Sequence, residues 1–296
     1  MSSTPAAREL CGRPGGYGER VPPDPTEPIT STANTRLKGL VRLRERRERD
    51  RSGLFLIEGY REMCRAVEGD VGLTEVWCCP ALYLGKNEER LVDAARARGA
   101  EVVTVAEAPF RKASYRDRPE GLLAVARQFP TGLDTLDLGP KPLLLVVEGI
   151  EKPGNLGTMM RTAEAAGAAA LIVCDPTTDP FNPNVVRASL GTLFSLPLAV
   201  ADTPRALAWL RTRGIRSVAT TPAATRAHWE ADLTGAVAVV VGSEQYGLSV
   251  AWLQGASEQA LILMPGTVDS LNAAMAAGIV LFEAVRQRAR AAADGH

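Results

Sequence analysis

Two kinds of hydrophobic pattern alternate along the chain from about residue 53 to its end. Short apolar runs predict strands, whereas apolar residues that recur every three or four positions predict helices. The predicted strands cover 53–58, 74–78, 101–105, 121–126, 143–147, 170–173, 217–220, 236–241 and 260–263. Helices are predicted between them, including 60–67, 87–98 and a long one from Ser270 to about Arg290. Alternating strands and helices are typical of α/β folds.

A change of pattern near residue 130 divides the chain into two predicted domains. The segment Gln128 to Pro142 is rich in proline and glycine and fits a linker. The run Leu143-Leu-Leu-Val-Val147 then predicts a parallel strand buried on both faces. We therefore expect one α/β domain over 28–128, a linker over 129–141 and a second domain over 142–296. Residues 1–27 lack apolar periodicity and predict a disordered arm.

The composition narrows the class of protein. The 296 residues carry equal numbers of acidic and basic side chains and are 46% hydrophobic, as in an ordinary globular protein. No run approaches the roughly 18 apolar residues of a membrane span, and no secretory signal is recognisable. Five cysteines without a CxxC pair favour free thiols, so we expect a cytoplasmic protein. With two histidines, a histidine-rich metal site is excluded, and no metal is expected.

Basic residues are concentrated between positions 36 and 51, where eight arginine and lysine residues occur beside three acidic ones. Leu37, Leu40, Val41 and Leu43 predict a helix there with a partly buried stripe. The charge fits either a solvated helix face or a surface that binds a phosphate backbone. The pattern alone leaves both interpretations open.

Three polar turns that follow predicted strands carry the candidate chemistry. The first contains Asn155, Gly157 and Arg161. We expect Asn155 to cap the helix that follows, and Gly157 to allow another chain segment to approach its first turn. We expect the stem of Arg161 to be packed while its guanidinium reaches the edge of the sheet.

The other two turns lie late in the chain. Gly242-Ser-Glu-Gln-Tyr-Gly247 places a single carboxylate, Glu244, at the end of a valine-rich strand. Within Met264–Asn272, Asp269 or Ser270 is placed to cap the last helix, with the closing asparagine inside its first turn. Because parallel strands end at one edge of a sheet, the three turns predict one site for a nucleotide-like ligand.

Two familiar site motifs do not fit. No GxGxxG sequence follows the first strand of the second domain, which argues against a classical dinucleotide site. The segment Val186-Arg-Ala-Ser-Leu-Gly191 places an arginine near a small-residue turn, but it lacks the GxSxG spacing of a hydrolase nucleophile. The sequence gives this segment no role.

Taken in order, the three turns resemble the three motifs of the SpoU/TrmH branch of the SPOUT RNA methyltransferases, over Leu143 to about Arg288. The resemblance implies a C-terminal parallel-sheet SPOUT domain whose chain forms a trefoil knot, one of the rare exceptions to unknotted folding. It also implies S-adenosylmethionine as cofactor. Such enzymes generally form homodimers through the C-terminal helix, with residues of both subunits near each site.

The first domain carries a looser resemblance. Asn34, Lys38, Leu40, Arg46-Arg47 and Phe55-Leu-Ile-Glu-Gly59 are similar to the substrate-binding domain of several ribosomal-RNA 2′-O-methyltransferases. Antibiotic-resistance methyltransferases share this plan. The resemblance implies a smaller N-terminal α/β L30e-like RNA-binding domain. The residues then expected to bind RNA are Arg36, Lys38, Arg42, Arg46 and Arg47.

The resemblance also assigns site residues, by the positions that match the family motifs. The implied catalytic residues are Asn155, Arg161, Glu244, Ser270 and Asn272. The implied cofactor-binding residues are Thr220, Thr221, Val241, Gly242, Gly247, Ile262, Met264, Gly266, Leu271 and Ala273. The chain departs from the usual family pattern at Lys152, where many relatives have Asp, and also at Gly154 and Tyr246.

The expected function is methyl transfer from S-adenosylmethionine to a ribose 2′-hydroxyl of ribosomal RNA, most simply 23S. Because a guanidinium stays protonated, we expect Arg161 to hold a phosphate, while a phosphate oxygen or Glu244 takes the proton. Alternatives are the same fold acting on transfer RNA or on a base nitrogen, and an inactive RNA-binding protein. The target nucleotide, and a housekeeping or drug-resistance role, stay open.

Overall fold

Two units make up the computed structural model of the chain, which describes residues 27–294. Among the described residues, unit 1 contains 27–129 together with a later segment, Phe181–Ser195. Unit 2 contains Pro130–Pro180 and the chain from Leu196 onward. The predicted N-terminal arm lies outside the described residues, apart from its last residue.

Unit 1 is a mixed sheet with helices packed on it. Its strands are ordered β1-β4-β2-β3, with β4 antiparallel to β1 and β2, and β2 parallel to β3. The elements in chain order are α1 (Thr35–Arg42), α2 (Arg46–Ser52), β1 (Leu54–Glu58), α3 (Tyr60–Glu68), β2 (Leu73–Cys78), α4 (Glu88–Ala97), β3 (Glu101–Thr104), α5 (Glu107–Ala113), β4 (Leu122–Arg127) and α7 (Pro183–Ser189).

The basic segment forms two helices instead of the single predicted one. Asn34 caps α1 by accepting hydrogen bonds from two backbone N–H groups. At the break, the guanidinium of Arg49 donates to the carbonyls of Leu43 and Arg44, at 3.0 and 2.7 Å. Carbonyls just beyond the end of a helix have no intrahelical N–H partner, and the guanidinium supplies one here. The predicted apolar stripe is buried at Leu37, Leu40 and Leu43, which belong to the core of this unit.

Unit 2 is built on a six-stranded parallel sheet, so the predicted α/β class is confirmed. The strand order is β10-β8-β9-β5-β6-β7. The elements are β5 (Leu143–Glu148), α6 (Pro153–Ala165), β6 (Ala170–Cys174), β7 (Leu198–Ala201), α8 (Thr203–Thr212), β8 (Arg216–Thr220), β9 (Val237–Val241), α9 (Val250–Gly255), β10 (Glu258–Ala260) and α10 (Ala273–Asp294). The trefoil knot concerns threading rather than strand order, and it stays a prediction.

The core of unit 2 lies on both faces of β5. Every residue of this strand is buried, as its uninterrupted apolar run predicts. On one face, Leu144 and Val146 belong to a cluster that includes Trp209 and Trp252. Helix α10 packs on β5 and β9, and α6 packs on β6 and on α10. From β5 the chain proceeds outward through β6 and β7, crosses to the other side at β8, and then places β9 between β8 and β5, so the strand order reverses between β5 and β9.

Two predicted boundaries are wrong. The last strand covers Glu258–Ala260, and the following residues run on as an irregular segment with a single bridge from Leu261 to Ala227. The last helix begins at Ala273 instead of Ser270. Strand β7, on the edge of the sheet, was not predicted. In residues 27–294, no helix has the length and apolar character needed to cross a membrane.

Candidate active site

The candidate site lies where the strand order of unit 2 reverses. Ligands of open α/β sheets bind beyond the carboxyl ends of the strands at such a point. The first polar turn follows β5, the second follows β9, and the third follows β10. Because these strands are parallel, all three turns lie at the same edge of the sheet.

Side chains from all three turns meet at one carboxylate oxygen. The amide of Asn155 donates to Oε1 of Glu244 at 2.7 Å. The amide of Asn272 donates to the same oxygen, and also to Oδ1 of Asn155 at 3.1 Å. The backbone N–H of Ala273 adds a longer hydrogen bond of 3.4 Å to this oxygen. The structure therefore brings together three of the five residues expected to be catalytic.

The second oxygen of Glu244 is held by Lys152. The ammonium lies 2.8 Å from Oε2, and the lysine side chain is 71% exposed. The hydrogen bond from Lys152 is the largest cause that lowers the pKa of Glu244 below its ordinary 4.5, followed by the bond from Asn155. The pKa of Lys152 is raised by the same contact. The sequence marks position 152 as unusual, but it does not show this ion pair.

The two asparagines have different helix positions from those predicted. Helix α6 begins at Pro153 with Lys152 as its N-cap, so Asn155 lies within the first turn instead of capping it. Asn272 caps α10, because its Oδ1 accepts from the N–H groups of Ala274 and Met275 at 3.0 and 3.4 Å. Neither Asp269 nor Ser270 has this role.

A mostly apolar cavity of about 190 Å³ opens beside the carboxylate. All of the expected cofactor-binding residues except Gly266 line it. Ser270 lines it too, as do residues that the sequence did not indicate, namely Pro222, Ser243 and Ala276. The position of Pro222 and Ser243, just after strands β8 and β9, is the signal that could have pointed to them.

The second turn forms one wall of this cavity as a closed loop. Ser243 and Gly247 exchange two backbone hydrogen bonds of 3.1 and 3.0 Å. A Cβ atom at Gly242 would lie 2.2 Å from the carbonyl of Gly247, so another side chain cannot fit there. Glycine at 242 therefore permits the tight closure that holds Glu244 at the mouth of the cavity.

The cavity fits S-adenosylmethionine by the polar groups it leaves without partners. The buried hydroxyl of Thr220 has no hydrogen-bond partner among the residues that the structure describes. In the same part of the chain, the backbone N–H groups of Ile262 and Leu271 have no acceptor. A buried hydroxyl normally has a partner, so Thr220, together with the two unpaired N–H groups of half-buried residues on the cavity wall, can bind a ligand that carries both polar and apolar parts.

A second, more polar cavity of about 210 Å³ adjoins the first. Ser243, Glu244 and Ala273 line both cavities, so the carboxylate lies at their junction. Lys152 and Asn155 line the second cavity but not the first. A cofactor in the first cavity and an acceptor in the second would meet beside Glu244.

Arg161 lies apart from this junction. Its side chain is exposed, not packed along its stem as predicted, and its guanidinium donates to Oγ1 of Thr158 at 3.3 Å. It lines neither cavity. Within one chain, therefore, the structure does not bring Arg161 to the carboxylate.

The residues expected to bind RNA divide into two groups. Arg36 is committed inside unit 1, where it pairs with Glu101 and Glu75 and lies over the ring of Trp77. The other four are exposed along α1 and α2, and they are Lys38, Arg42, Arg46 and Arg47. Arg44, another member of the basic segment, donates to backbone carbonyls of residues 112–114. With Arg49 included, three of the eight basic residues of this segment thus serve the fold.

Comparison with known proteins places the chain. The SpoU rRNA Methylase family matches residues 142–282, and the MRM3-like substrate binding domain matches residues 34–124. A crystal structure of an RNA 2′-O ribose methyltransferase is 42% identical with a TM-score of 0.77, and the match covers 88% of this chain and 99% of that one. The chain belongs to the SpoU rRNA methylase family. The resemblance carried by the three turns is thereby confirmed.

Two further members of the family are similar over nearly their whole length. The 23S rRNA (uridine(2479)-2′-O)-methyltransferase of Streptomyces viridochromogenes is 31% identical over 92% of this chain and 95% of that protein. The AdoMet-bound rRNA methyltransferase from Sinorhizobium meliloti is 32% identical with a TM-score of 0.81, and the match covers 88% of this chain and 97% of that one. Both units of this chain therefore have counterparts in single proteins of the family.

Proposed function

We propose that the chain transfers the methyl group of S-adenosylmethionine to a ribose 2′-hydroxyl of ribosomal RNA. The observation that carries the proposal is the junction of the two cavities. There, Asn155, Glu244 and Asn272 form one hydrogen-bonded group between an apolar pocket and a polar one. The relatives that methylate ribosomal RNA or bind AdoMet support the assignment.

The apolar cavity holds the cofactor through the groups that it leaves without partners. We assign polar contacts to the hydroxyl of Thr220 and to the backbone N–H groups of Ile262 and Leu271. S-adenosylmethionine supplies a methyl group that its sulfonium charge already activates. The remaining task of the protein is to align the acceptor oxygen with that methyl group and exclude water, which can supply roughly 7–11 kcal/mol.

The hydrogen-bonded group orients the acceptor ribose. Both oxygens of Glu244 already accept hydrogen bonds or an ion pair, and its pKa is lowered by Lys152. A carboxylate in this state is a weak proton acceptor. We therefore assign Glu244 to fixing the two asparagine amides, and we assign the proton of the 2′-hydroxyl to a phosphate oxygen of the RNA.

A homodimer accounts for Arg161. Helix α10 exposes Met275, Ile279 and Phe282 along one stripe, with Phe282 51% exposed. A stripe of this kind on a surface helix is suited to bury itself against a second copy of the chain. Helix α6, which carries Arg161, packs on α10 where Thr162 meets Gly278. Dimerisation through α10 would therefore place Arg161 near the partner's acceptor cavity, where it binds an RNA phosphate.

Unit 1 is the RNA-binding part in this proposal. The exposed basic residues of α1 and α2 neutralise phosphates without reading sequence. RNA binding should weaken with salt by a slope of about −0.7 per contact for single-stranded RNA. A ribosomal substrate also accounts for the expected cytoplasmic location.

Methyl transfer to ribosomal RNA tests the proposal directly. Purified protein is incubated with tritiated S-adenosylmethionine and ribosomal RNA, and the product is hydrolysed with alkali. A 2′-O-methyl group blocks cleavage, so we expect label in alkali-resistant dinucleotides. Label in alkali-labile mononucleotides would indicate a base nitrogen, and transfer to transfer RNA alone would change the substrate. Absence of heat on titration with S-adenosylmethionine would indicate an inactive RNA-binding protein.

A further inference from the structure

A second group of arginines lies in unit 1, around an open cavity of about 430 Å³. Three separate parts of the chain line it. They are α3, the loop between α5 and β4, and the turn that ends α7. The lining residues are Glu62, Arg116, Asp117, Arg118, Arg187 and Leu190. Arg187 and Leu190 belong to the segment Val186–Gly191, for which the sequence alone predicts no role.

At the floor of this cavity, both terminal nitrogens of Arg116 have partners within unit 1, whereas its buried Nε has none among the described residues. Arg116 donates to Glu62 and to Glu120, both at 2.6 Å, and to the carbonyl of Glu58 at 2.7 Å. Its side chain is 13% exposed and that of Glu62 is 3% exposed. This buried pair therefore serves as a scaffold and leaves little charge for a ligand.

The rim of the cavity is different, because its charges are exposed and available. Arg118 and Arg187 are exposed, and neither guanidinium has a hydrogen bond or ion pair within the described part of the chain. Asp117, between Arg116 and Arg118, is exposed as well, and its carboxylate likewise has no partner there. The rim thus offers two guanidinium groups and one hydrogen-bond acceptor.

The residue that ends α7, the helix that carries Arg187, is held in a strained conformation. Leu190 has φ +52°, a left-handed conformation that costs a residue with a side chain about 1–3 kcal/mol. A Cβ atom at Gly191 would lie 2.5 Å from the side chain of Arg65, so the turn packs directly on α3. Such strain persists where the surroundings enforce it, which is common at binding sites. Here it holds the end of α7 at the cavity.

RNA is the ligand that fits both kinds of group on the rim. A guanidinium binds the oxygens of a phosphate in a forked geometry. A carboxylate repels a free anion but accepts a hydrogen bond, and an RNA backbone offers 2′-hydroxyl donors between successive phosphates. We propose that this cavity is an RNA-backbone subsite, in which Arg118 and Arg187 bind phosphates and Asp117 accepts from a ribose hydroxyl.

This inference rests on the proposed methyl transfer to RNA, and one set of variants tests both. The test variant is R118A/R187A, and the control is R90A/R98A, which removes two exposed arginines of the same unit, one in α4 and one at its C-terminal end. Arg116 is left intact because its loss would strand buried Glu62. Methyl transfer and RNA binding are measured with the full chain at several salt concentrations.

We expect the test variant to raise the KM for RNA by at least about tenfold, the range for losing charged hydrogen bonds. Its log–log salt slope should become shallower by about 0.7 for each lost contact, whereas kcat and the affinity for S-adenosylmethionine stay unchanged. R118K/R187K should keep the slope but raise KM, because lysine retains the charge and loses the fork. D117N should reduce the preference for RNA over a 2′-deoxy analogue.

The outcomes separate the two ideas. If the wild-type protein transfers no methyl group to RNA, the proposed function fails. If the wild type is active and R118A/R187A matches the R90A/R98A control in KM and salt slope, the subsite is refuted while the function stands. An unchanged RNA preference in D117N would remove the ribose contact alone.

Discussion

At the scale of single residues, the site depends on an anion that orients two neutral amides. Asn155 and Asn272 both donate to one oxygen of Glu244, so each amide presents a defined face to the acceptor cavity. In Glu244→Gln the acceptor becomes neutral, and an amide donor faces the Lys152 ammonium. We expect kcat to fall by about 10²-fold, as for other preorganised electrostatic contacts. Tritium transfer measures the loss.

The control for this variant is Glu89→Gln, which changes an exposed carboxylate of unit 1 in the same way. It should leave kcat at the wild-type value. Full activity in Glu244→Gln would mean that the carboxylate charge has no part in orienting the amides.

The effect of Lys152 on the pKa of Glu244 can be measured. The lowered pKa means that the ionised form of Glu244 is favoured in the folded protein. This form therefore contributes to the stability of the fold, and the contribution is lost as pH falls through the lowered pKa. Lys152→Met removes the largest cause, so the pKa of Glu244 should rise toward its ordinary 4.5. A ¹³C NMR titration of the carboxyl group would report the shift. Lys141→Met should leave it in place, and an equal shift in both variants would contradict the ion pair.

Removing the hydroxyl of Thr220 should have opposite effects on the stability of the ligand-free protein and on its affinity for S-adenosylmethionine. Its buried hydroxyl has no partner in residues 27–294, so Thr220→Val should leave the ligand-free protein equally stable or slightly more stable. If the hydroxyl binds the cofactor, the same change should weaken the binding of S-adenosylmethionine by about 0.5–1.5 kcal/mol, which is a several-fold rise in Kd. Thermal melting and calorimetric titration measure the two effects. A stability loss without a change in Kd would assign the hydroxyl to the fold.

Residue identity was easier to predict than residue geometry. The sequence singles out Asn155, Glu244 and Asn272, which meet in the structure. It predicts a helix-capping role for Asn155, however, and no capping role for Asn272. The structure assigns capping to Asn272, because a side chain bonds to whichever N–H groups the tertiary fold leaves open nearby. The Lys152 contact depends on two turns meeting in space, and spacing along the chain does not encode it.

At the scale of elements, the closed turn after β9 is the least replaceable part of the site. Gly242→Ala would place a methyl group 2.2 Å from backbone atoms of Gly247, and backbone cannot rotate away as a side chain can. We expect the turn to open and binding of S-adenosylmethionine to be lost, measured by calorimetry. Gly154→Ala, where nothing lies within 4 Å of the new atom, should retain binding. Wild-type affinity in Gly242→Ala would show that the turn can close in another way.

Strongly apolar elements were predicted well, and mixed ones were not. Strand β5 is buried throughout and matches its apolar run. Strand β10 is shorter and earlier than predicted, because Leu261 bonds to the segment at Arg226 and leaves the sheet. The division of the basic segment into α1 and α2 depends on Arg49, whose buried guanidinium serves carbonyls at the break. The sequence does not distinguish this arginine from the exposed basic residues around it.

At the scale of the whole molecule, one segment belongs to unit 1 by its contacts although it lies between two parts of unit 2 along the chain. Phe181–Ser195 lies within the family match at 142–282, yet its contacts assign it to unit 1. Phe181, for example, has its ring 4.9 Å from that of Phe55. Such long-range packing cannot be inferred from local periodicity, which explains why the arginine cavity of unit 1 was not predicted.

The proposed dimer makes the most direct prediction at this scale, because Arg161 and Glu244 of one site would come from different subunits. Arg161→Ala and Glu244→Gln should each be nearly inactive alone. In a mixed population, a dimer with one subunit of each kind has one site with both defects and one site with none. Random pairing should therefore restore about a quarter of wild-type activity in a two-fold symmetric dimer.

Tritium transfer by the unfractionated mixture measures this recovery, and mixed dimers separated by two affinity tags should show about half of wild-type activity, because one of their two sites is intact. Ile279→Glu, which puts a charge into the apolar stripe of α10, should abolish both the dimer in sedimentation and the recovery, whereas Ala291→Glu on the same helix should preserve them. If Arg161 served its own subunit, every site in the mixed dimer would carry one defect. No activity would then return, and Arg161 would have to reach Glu244 by a movement within one chain.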